Sequence, residues 1–331
     1  MNNITEYLKI VDHIQGNGEK PVILEPTDYS VPRPPVPTCT LVDGKITAIT
    51  LTQSFIKQIM WTGPATQYVG SWDLRPDACA FQVYNVNILH KYKFPTSQAQ
   101  LSGQYFETQA IGAGAYGSTH YLPRNTRTGQ PKVGEERILE AVKLFKQVAE
   151  QTGILIDKRN TQVVKTIPIL DSEFEDIQVS IKCVADIISP FKYENIDYDL
   201  AVVDLKLSAD RNSEFFKTRE PWLSFCWGNP EKMSSLQGTV YSTVFEIPFL
   251  NLIFDYKKND PGFKVVPVKT IMSHPDDQEA RLRHKEMKQG VKKAISQLVE
   301  WSEWDWPTNP GLHCTKCPVS SCPAKKTIEY F

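Results

Sequence analysis

The chain has 331 residues, of which 41% are hydrophobic and 11% aromatic, and its 37 Lys and Arg residues nearly balance its 38 Asp and Glu residues, giving a net charge of -1. This composition excludes wholesale disorder, collagen-like repeats and disulfide-dense miniproteins, and the length allows a large core that needs no staple merely to fold. The balanced charge neither favours nor excludes nucleic acid, because binding requires only a local basic face.

The N-terminal sequence has no basic start followed by an apolar run, and no apolar stretch reaches the roughly 18 residues of a membrane span. We therefore expect a cytoplasmic protein with no membrane partner. In that reducing compartment the seven cysteines are expected to be buried thiols or metal ligands rather than disulfides.

The first half of the chain is predicted to contain an arm followed by helices. Residues 1–50 are assigned to an N-terminal arm, since residues 27–38 are rich in proline, which fixes φ and removes a backbone donor. The most regular apolar spacing, over residues 135–151, predicts an amphipathic helix that ends at Gly153. Further helices are predicted at 51–60, near 76–84 and at 98–111.

In the second half of the chain, the spacing of apolar residues changes from that of helices to that of strands. Residues 178–189 and 199–208 are rich in β-branched residues and predict two strands that pair as a hairpin. A helix is expected after Met233, interrupted at Pro248, and a long one at 276–301. We predict a single domain over 51–331, with its core at about 98–250 and a C-terminal helix and cysteine tail at 276–323.

The hairpin carries the first chemical motif. Asp186 ends the apolar run of the first strand, while Asp204 and Lys206 are two apart on the second and therefore share a face. Carboxylates in such an apolar setting are costly unless they are paired or bind a cation, and aspartates are oxygen ligands of the kind Mg²⁺ or Mn²⁺ takes. The alternative is a solvated strand face on which Asp-x-Lys is a simple ion pair.

Together with neighbouring motifs, this pattern resembles a known family. Asp186 and Asp204-Leu205-Lys206, followed by Gln237-Gly-Thr-Val-Tyr241, resemble the RecB-like branch of the PD-(D/E)xK nuclease superfamily. Upstream, Gly103-Gln-Tyr-Phe-Glu107 is similar to the Gly-x-x-x-His motif of that branch, with Glu107 in place of the histidine, as in phage-type exonucleases. Four motifs occur in the family's order within residues 103–241.

The resemblance implies an α/β fold, a PD-(D/E)xK core with a mixed central β-sheet flanked by helices, and metal-dependent hydrolysis of DNA, with exonuclease action favoured. Mg²⁺ or Mn²⁺ would be bound by Glu107, Asp186, Asp204 and the carbonyl of Leu205. The catalytic set implied is Asp186, Asp204, Lys206, Gln237 and Tyr241.

The family also implies a setting for the reaction. DNA would be the partner, with a homo-oligomer or a recombination or repair protein as a further one. The location would be the cytoplasm of a bacterium, or of a host cell if the chain is phage-encoded. The opposing hypothesis is a nuclease-fold protein that binds DNA or another protein without cutting.

The second chemical motif is a cysteine cluster. Cys314, Cys317 and Cys322 form C-x2-C-x4-C in a proline-rich tail with few apolar residues, a spacing typical of metal ligands. Together with Cys79 they resemble iron–sulfur RecB-like nucleases, in which one upstream and three downstream cysteines hold a [4Fe-4S] cluster. That resemblance implies an iron–sulfur staple joining the N- and C-terminal parts. The alternative is structural Zn²⁺ bound by the three tail cysteines and either His313 or Cys79.

Overall fold

The computed structural model describes residues 38–52, 79–89, 91–92, 98–112, 127, 134–169, 172–208, 235–256, 261–309, 314 and 317–324. The chain divides into two compact units. Described residues of the first unit fall within 96–165 and 184–281, and those of the second within 33–95, 166–183 and 282–331. The assignment of 51–331 to a single domain stays a prediction.

Strands and helices are interspersed along the chain in a mixed α/β pattern. In order they are β1 (Thr38–Val42), β2 (Lys45–Thr52), α1 (Ala80–Val83, continued by a π-helical turn at Tyr84–Ile88), α2 (Gln98–Ile111), α3 (Glu135–Thr152), β3 (Thr161–Ile169), β4 (Gln178–Tyr193), β5 (Ile196–Ser208), α4 (Ser235–Phe245), β6 (Phe249–Asp255), β7 (Phe263–Val268) and α5 (Gln278–Glu303).

The first unit is built on a mixed sheet. The end of β4 pairs antiparallel with β5, β5 runs parallel to β6, and β6 pairs antiparallel with β7, while β3 pairs with β4. Strand β6 is buried at every position, as expected of a strand with neighbours on both edges and helices on both faces. Its apolar run therefore serves as the centre of the sheet.

Helices α2 and α3 cover one face of this sheet. Phe106 of α2 and Phe145 of α3 both contact Phe254 of β6, with ring centroids 5.4 and 5.8 Å apart. The same buried cluster includes Val203 and Leu205 of β5. Because side chains alternate along a strand, the intervening residues of β5 face the opposite side.

Helix α4 packs on that opposite face, and a glycine sets how close it comes. A Cβ atom at Gly238 would lie 2.8 Å from Val268 and 2.9 Å from Phe249. Tyr241, one turn later, contacts the Phe249 ring with centroids 5.6 Å apart. Only glycine therefore allows α4 to approach the sheet this closely, and the approach places Gln237 beside β5.

The second unit contains a β-hairpin and the C-terminal tail. Asp43 and Gly44, both at positive φ, form the turn between β1 and β2, as Asp-Gly pairs do in two-residue hairpins. Strand β2 then runs parallel to the start of β4, with Leu51 opposite Ile181. Residues 38–50, which were predicted to belong to an arm, therefore form part of a sheet. Residues 1–37 lie outside the described part.

Most predicted elements are found with shifted ends. Helices α2, α3, α4 and α5 and the β4–β5 hairpin lie where the sequence predicts them, and α3 ends at Gly153 with φ 76°. The helix predicted at 51–60 is wrong where it can be checked, because Leu51 and Thr52 belong to β2 and the remainder lies outside the described residues. Within the described residues, no helix is both long and apolar enough to cross a membrane.

Candidate active site and cysteine cluster

The β4–β5 hairpin brings the predicted acidic residues together. Ile187 pairs with Val203, so the same register continued by one residue brings Asp186 to the level of Asp204. The Asp186 carboxylate accepts a hydrogen bond from the backbone N–H of Leu205 at 2.8 Å. This bond holds the middle of β4 against β5 at the site.

Asp204 is the most enclosed of the acids, with 3% of its surface exposed. Gln237 donates from Nε2 to its Oδ1 at 2.9 Å, and its Oδ2 lies against the Lys206 ammonium group. Apart from this ion pair, Oδ2 is buried with no hydrogen-bond partner among the described residues. A buried carboxylate oxygen with one ionic contact retains free lone pairs that a cation can use.

Glu107 of α2 joins this group from outside the hairpin. Its half-buried carboxylate accepts a hydrogen bond from Gln162 Nε2 at 2.6 Å, and it is close enough to Asp186 and Asp204 for their charges to act on it. Gln162, in β3, was missed in the sequence because β3 itself was not predicted. The polar residues at the start of β3 are only a weak indication of a strand in the sequence.

The acids change one another's titration. Burial, and then the charge of Asp186, raise the pKa of Glu107 well above its usual range. Burial followed by the charge of Asp204 raises the pKa of Asp186 to about 7. Burial opposes the charge on Lys206, but Asp204, Asp186 and Glu107 together outweigh it and raise the pKa of the ammonium group. The site therefore holds three acids, two of them reluctant to ionise, around a lysine that stays charged.

The other predicted residues have supporting positions. The Tyr241 hydroxyl donates to the backbone carbonyl of Val184 at 3.0 Å, so α4 is tied to β4 two residues before Asp186. The Leu205 side chain is buried in the core, and its amide serves Asp186; the metal-ligand role of its carbonyl stays a prediction. The structure thus brings together all seven predicted residues of this site.

The donor set suits a hard divalent cation. Carboxylate oxygens from α2, β4 and β5 surround one ammonium group, and Asp204 Oδ2 is otherwise unsatisfied. As the side chains are placed, no three His, Cys, Asp or Glu residues in the described ranges converge closely enough to hold a metal ion. Binding a cation would therefore require the acidic side chains to move closer together.

The cysteine cluster lies in the second unit. Cys79, Cys314, Cys317 and Cys322 are all buried and none forms a disulfide. Burial raises the pKa of the Cys79 thiol, and Cys322 and Cys314 are near enough to raise it further. Buried thiols outside disulfides are ligands of the kind that a thiophilic metal or cluster takes as thiolates, but no three of the described cysteines converge closely enough, as placed, to hold one.

The segment carrying Cys79 is bound to the C-terminal tail at several points. The backbone N–H of Phe81 donates to the carbonyl of Pro307 at 3.2 Å, and the Tyr84 and Trp306 rings stack with centroids 4.9 Å apart. Val86 packs in one buried cluster with Cys317, Val319, Cys322 and Ala324. His313, the alternative zinc ligand, lies outside the described residues.

Asp186→Asn is expected to stabilise the metal-free chain at pH 8 by about 1–3 kcal/mol and to have little effect near pH 4. An unfolded aspartate titrates near pH 3.9, whereas the pKa of Asp186 in the folded chain is raised to about 7, so the folded chain binds this proton more tightly. Stability from that proton is complete below about pH 4 and is lost as the pH rises through about 7.

Urea unfolding in EDTA between pH 4 and 8 measures this difference. Asp197→Asn on the exposed part of β5 is the matched control and should follow the wild type. An Asp186→Asn effect of equal size at every pH would show that folding does not raise the pKa of Asp186.

Comparison with known proteins gives little beyond this geometry. No protein-family model matches the chain, and no curated protein matches it. The crystal structure of an inferred exonuclease from Eubacterium rectale is 15% identical, over 75% of this chain and 82% of that one, with a TM-score of 0.45. The crystal structure of SSO0001 is 15% identical, over 58% of this chain and 72% of that one, with a TM-score of 0.28. At such low identities and TM-scores, neither similarity assigns a fold or an activity to this chain.

Proposed function

We propose that the chain is a divalent-metal-dependent nuclease that hydrolyses phosphodiester bonds in DNA. The observation that carries this proposal is the crowding of Glu107, Asp186 and Asp204 around the single ammonium group of Lys206. Buried acids in such excess are costly to the fold, and a function that uses a cation explains why they are there. The same residues also match the motifs found in the sequence.

Glu107, Asp186 and Asp204 would hold Mg²⁺ or Mn²⁺, with the carbonyl of Leu205 as a further ligand. When bound, the cation polarises the scissile phosphate and lowers the pKa of a water molecule. Without it, ionising the three carboxyl groups would place negative charge against the phosphates of DNA. The acids therefore need to be neutralised before a DNA strand can approach them.

Lys206 contributes positive charge beside the reacting phosphate. The acids around it raise its pKa in the metal-free site and keep it an ammonium group there. In the loaded site it would orient the attacking water or stabilise the developing negative charge. Gln237 acts through Asp204, whose Oδ1 it holds at 2.9 Å. Tyr241 anchors the helix that carries Gln237 to β4. These two residues orient the site through the acids and the backbone.

We also propose that Cys79, Cys314, Cys317 and Cys322 bind a [4Fe-4S] cluster. Their burial and freedom from disulfides support a metal site in this unit. The cluster would have a structural role, since the tail has little apolar surface of its own and contacts the segment after Cys79. A zinc ion bound by the same cysteines is the competing assignment.

Incubating the anaerobically purified full chain with DNA tests the proposed activity. End-labelled linear DNA should be degraded in Mg²⁺ or Mn²⁺ and should remain intact in EDTA, because the acids cannot act without a cation. Circular DNA tests the mode of cleavage, since an exonuclease requires an end. Cleavage in EDTA, or intact linear DNA with either metal, would contradict the proposal; cleaved circles would contradict exonuclease action alone.

A further inference from the structure

Gln162 occupies a strained backbone position next to the acids. Its φ of 51° lies in the left-handed region, which is unfavourable for a long side chain outside a turn. The chain just before it is firmly held: Asn160, two residues earlier, donates from Nδ2 to the carbonyls of Leu155 at 2.6 Å and Ile188 at 3.1 Å. The surrounding fold therefore imposes the conformation that directs Gln162.

The Gln162 amide contacts two acids that come from different elements. Its Nε2 donates to Glu107 Oε1 at 2.6 Å, and the side chain also hydrogen-bonds Asp186. These two carboxyl groups raise each other's energy when both are charged. A shared N–H donor offsets that repulsion and fixes the distance between a helix residue and a strand residue.

The other end of the same amide is unsatisfied. Gln162 Oε1 is buried and has no hydrogen-bond partner among the described residues. A buried carbonyl oxygen without a donor costs about 1–3 kcal/mol and is uncommon in folded proteins. A water molecule bound in the site beside the acids would supply the missing donor.

We propose that Gln162 is a positioning residue of the metal site: its amide nitrogen holds Glu107 and Asp186 together, and its carbonyl oxygen accepts a hydrogen bond from a water in the loaded site. This inference rests on the proposed function, because it assumes that the acids bind a divalent cation. Gln162 acts through the two acids and itself binds neither the cation nor DNA.

Gln162→Met tests this role, because methionine has a similar length but no amide. Calorimetric titration of the full chain with Mn²⁺, without DNA, should show affinity reduced about tenfold or more. The thermal midpoint in EDTA should stay near that of the wild type, since the lost hydrogen bonds are offset by removing an unsatisfied carbonyl. Gln178→Met, on the exposed start of β4, is the matched control and should leave the affinity unchanged.

Two further variants keep the test decisive. Gln162→Asn tolerates a positive φ but is one methylene too short to reach both acids, so it should fold and show the same loss. In a Glu107→Gln background, Gln162→Met should cause a smaller additional loss than it does alone, because one of its partners is already altered.

The outcomes separate this inference from the proposed function. Wild-type affinity in both Gln162 variants would overturn the positioning role while leaving the function intact. A lower midpoint in EDTA with unchanged affinity of the folded protein would also overturn it, by showing a purely structural role. Absence of Mn²⁺ binding by the wild type would overturn the proposed function and, with it, this inference.

Discussion

Asp204→Asn is expected to reduce metal-dependent DNA cleavage by about a thousandfold or more without unfolding the chain. Asp204 meets Gln237 through Oδ1 and Lys206 through Oδ2, and it is almost fully buried between them. Asparagine keeps the shape and can still accept from Gln237, but it removes the negative charge that both Lys206 and a cation require. The loss should therefore appear in cation affinity as well as in cleavage.

The design of this experiment uses a second aspartate on the same strand. Asp197 of β5 is 62% exposed and pairs with Lys192 at the far end of the hairpin. Asp197→Asn makes the same chemical change outside the site and should retain full cleavage and full Mn²⁺ affinity. Circular dichroism and thermal melting of both variants check the fold. Cleavage by Asp204→Asn at the wild-type rate would exclude the proposed mechanism.

The centre of the site could be predicted because it lies on one hairpin. Alternating β-branched residues define β4 and β5, and a spacing of two places Asp204 and Lys206 on one face whatever the rest of the fold does. Helix α4 was also predictable from its apolar spacing, so Gln237 could be assigned to a helix. Its contact with Asp204 was not, because that depends on how closely Gly238 lets α4 approach the sheet.

The elements that were missed have different physical causes. Strand β6 is an apolar run buried on both faces, and such a run cannot be told from a buried helix by its periodicity. Strand β3 begins with the polar residues Thr161 and Gln162, and the positive φ of Gln162 is imposed by tertiary contacts. The role inferred for Gln162 therefore had no visible signal in the sequence.

In the cysteine cluster too, local spacing could be read from the sequence, whereas packing could not. Cys314, Cys317 and Cys322 stand out by their spacing in the tail, whereas Cys79 lies more than 200 residues away and only resemblance linked it to them. In the structure, α1 follows directly after Cys79, and the Tyr92 hydroxyl donates to Ser321 Oγ at 2.9 Å. Contacts between these two segments bring Cys79 near enough to Cys314 and Cys322 for their charges to act on it.

Cys322→Ser is expected to abolish the chromophore and to loosen the tail. The wild-type chain purified without oxygen should be brown, with broad absorbance at about 400 nm and about four irons per chain. Serine is a poor ligand for iron, so the variant should lose most of the iron and the absorbance. Its tail should then become sensitive to protease, because Cys322 belongs to the small buried cluster that attaches the tail to Val86.

Iron analysis, zinc analysis and limited proteolysis of the same preparations distinguish the two possible metals. Cys39→Ser is the control, since Cys39 lies on β1 and is not among the four proposed ligands. It should keep the wild-type iron content, colour and protease resistance. One zinc per chain and no iron in anaerobic wild-type protein would exclude the cluster in favour of a zinc site. Full iron content in Cys322→Ser would exclude Cys322 as a ligand, since a [4Fe-4S] cluster takes four thiolates and serine supplies none.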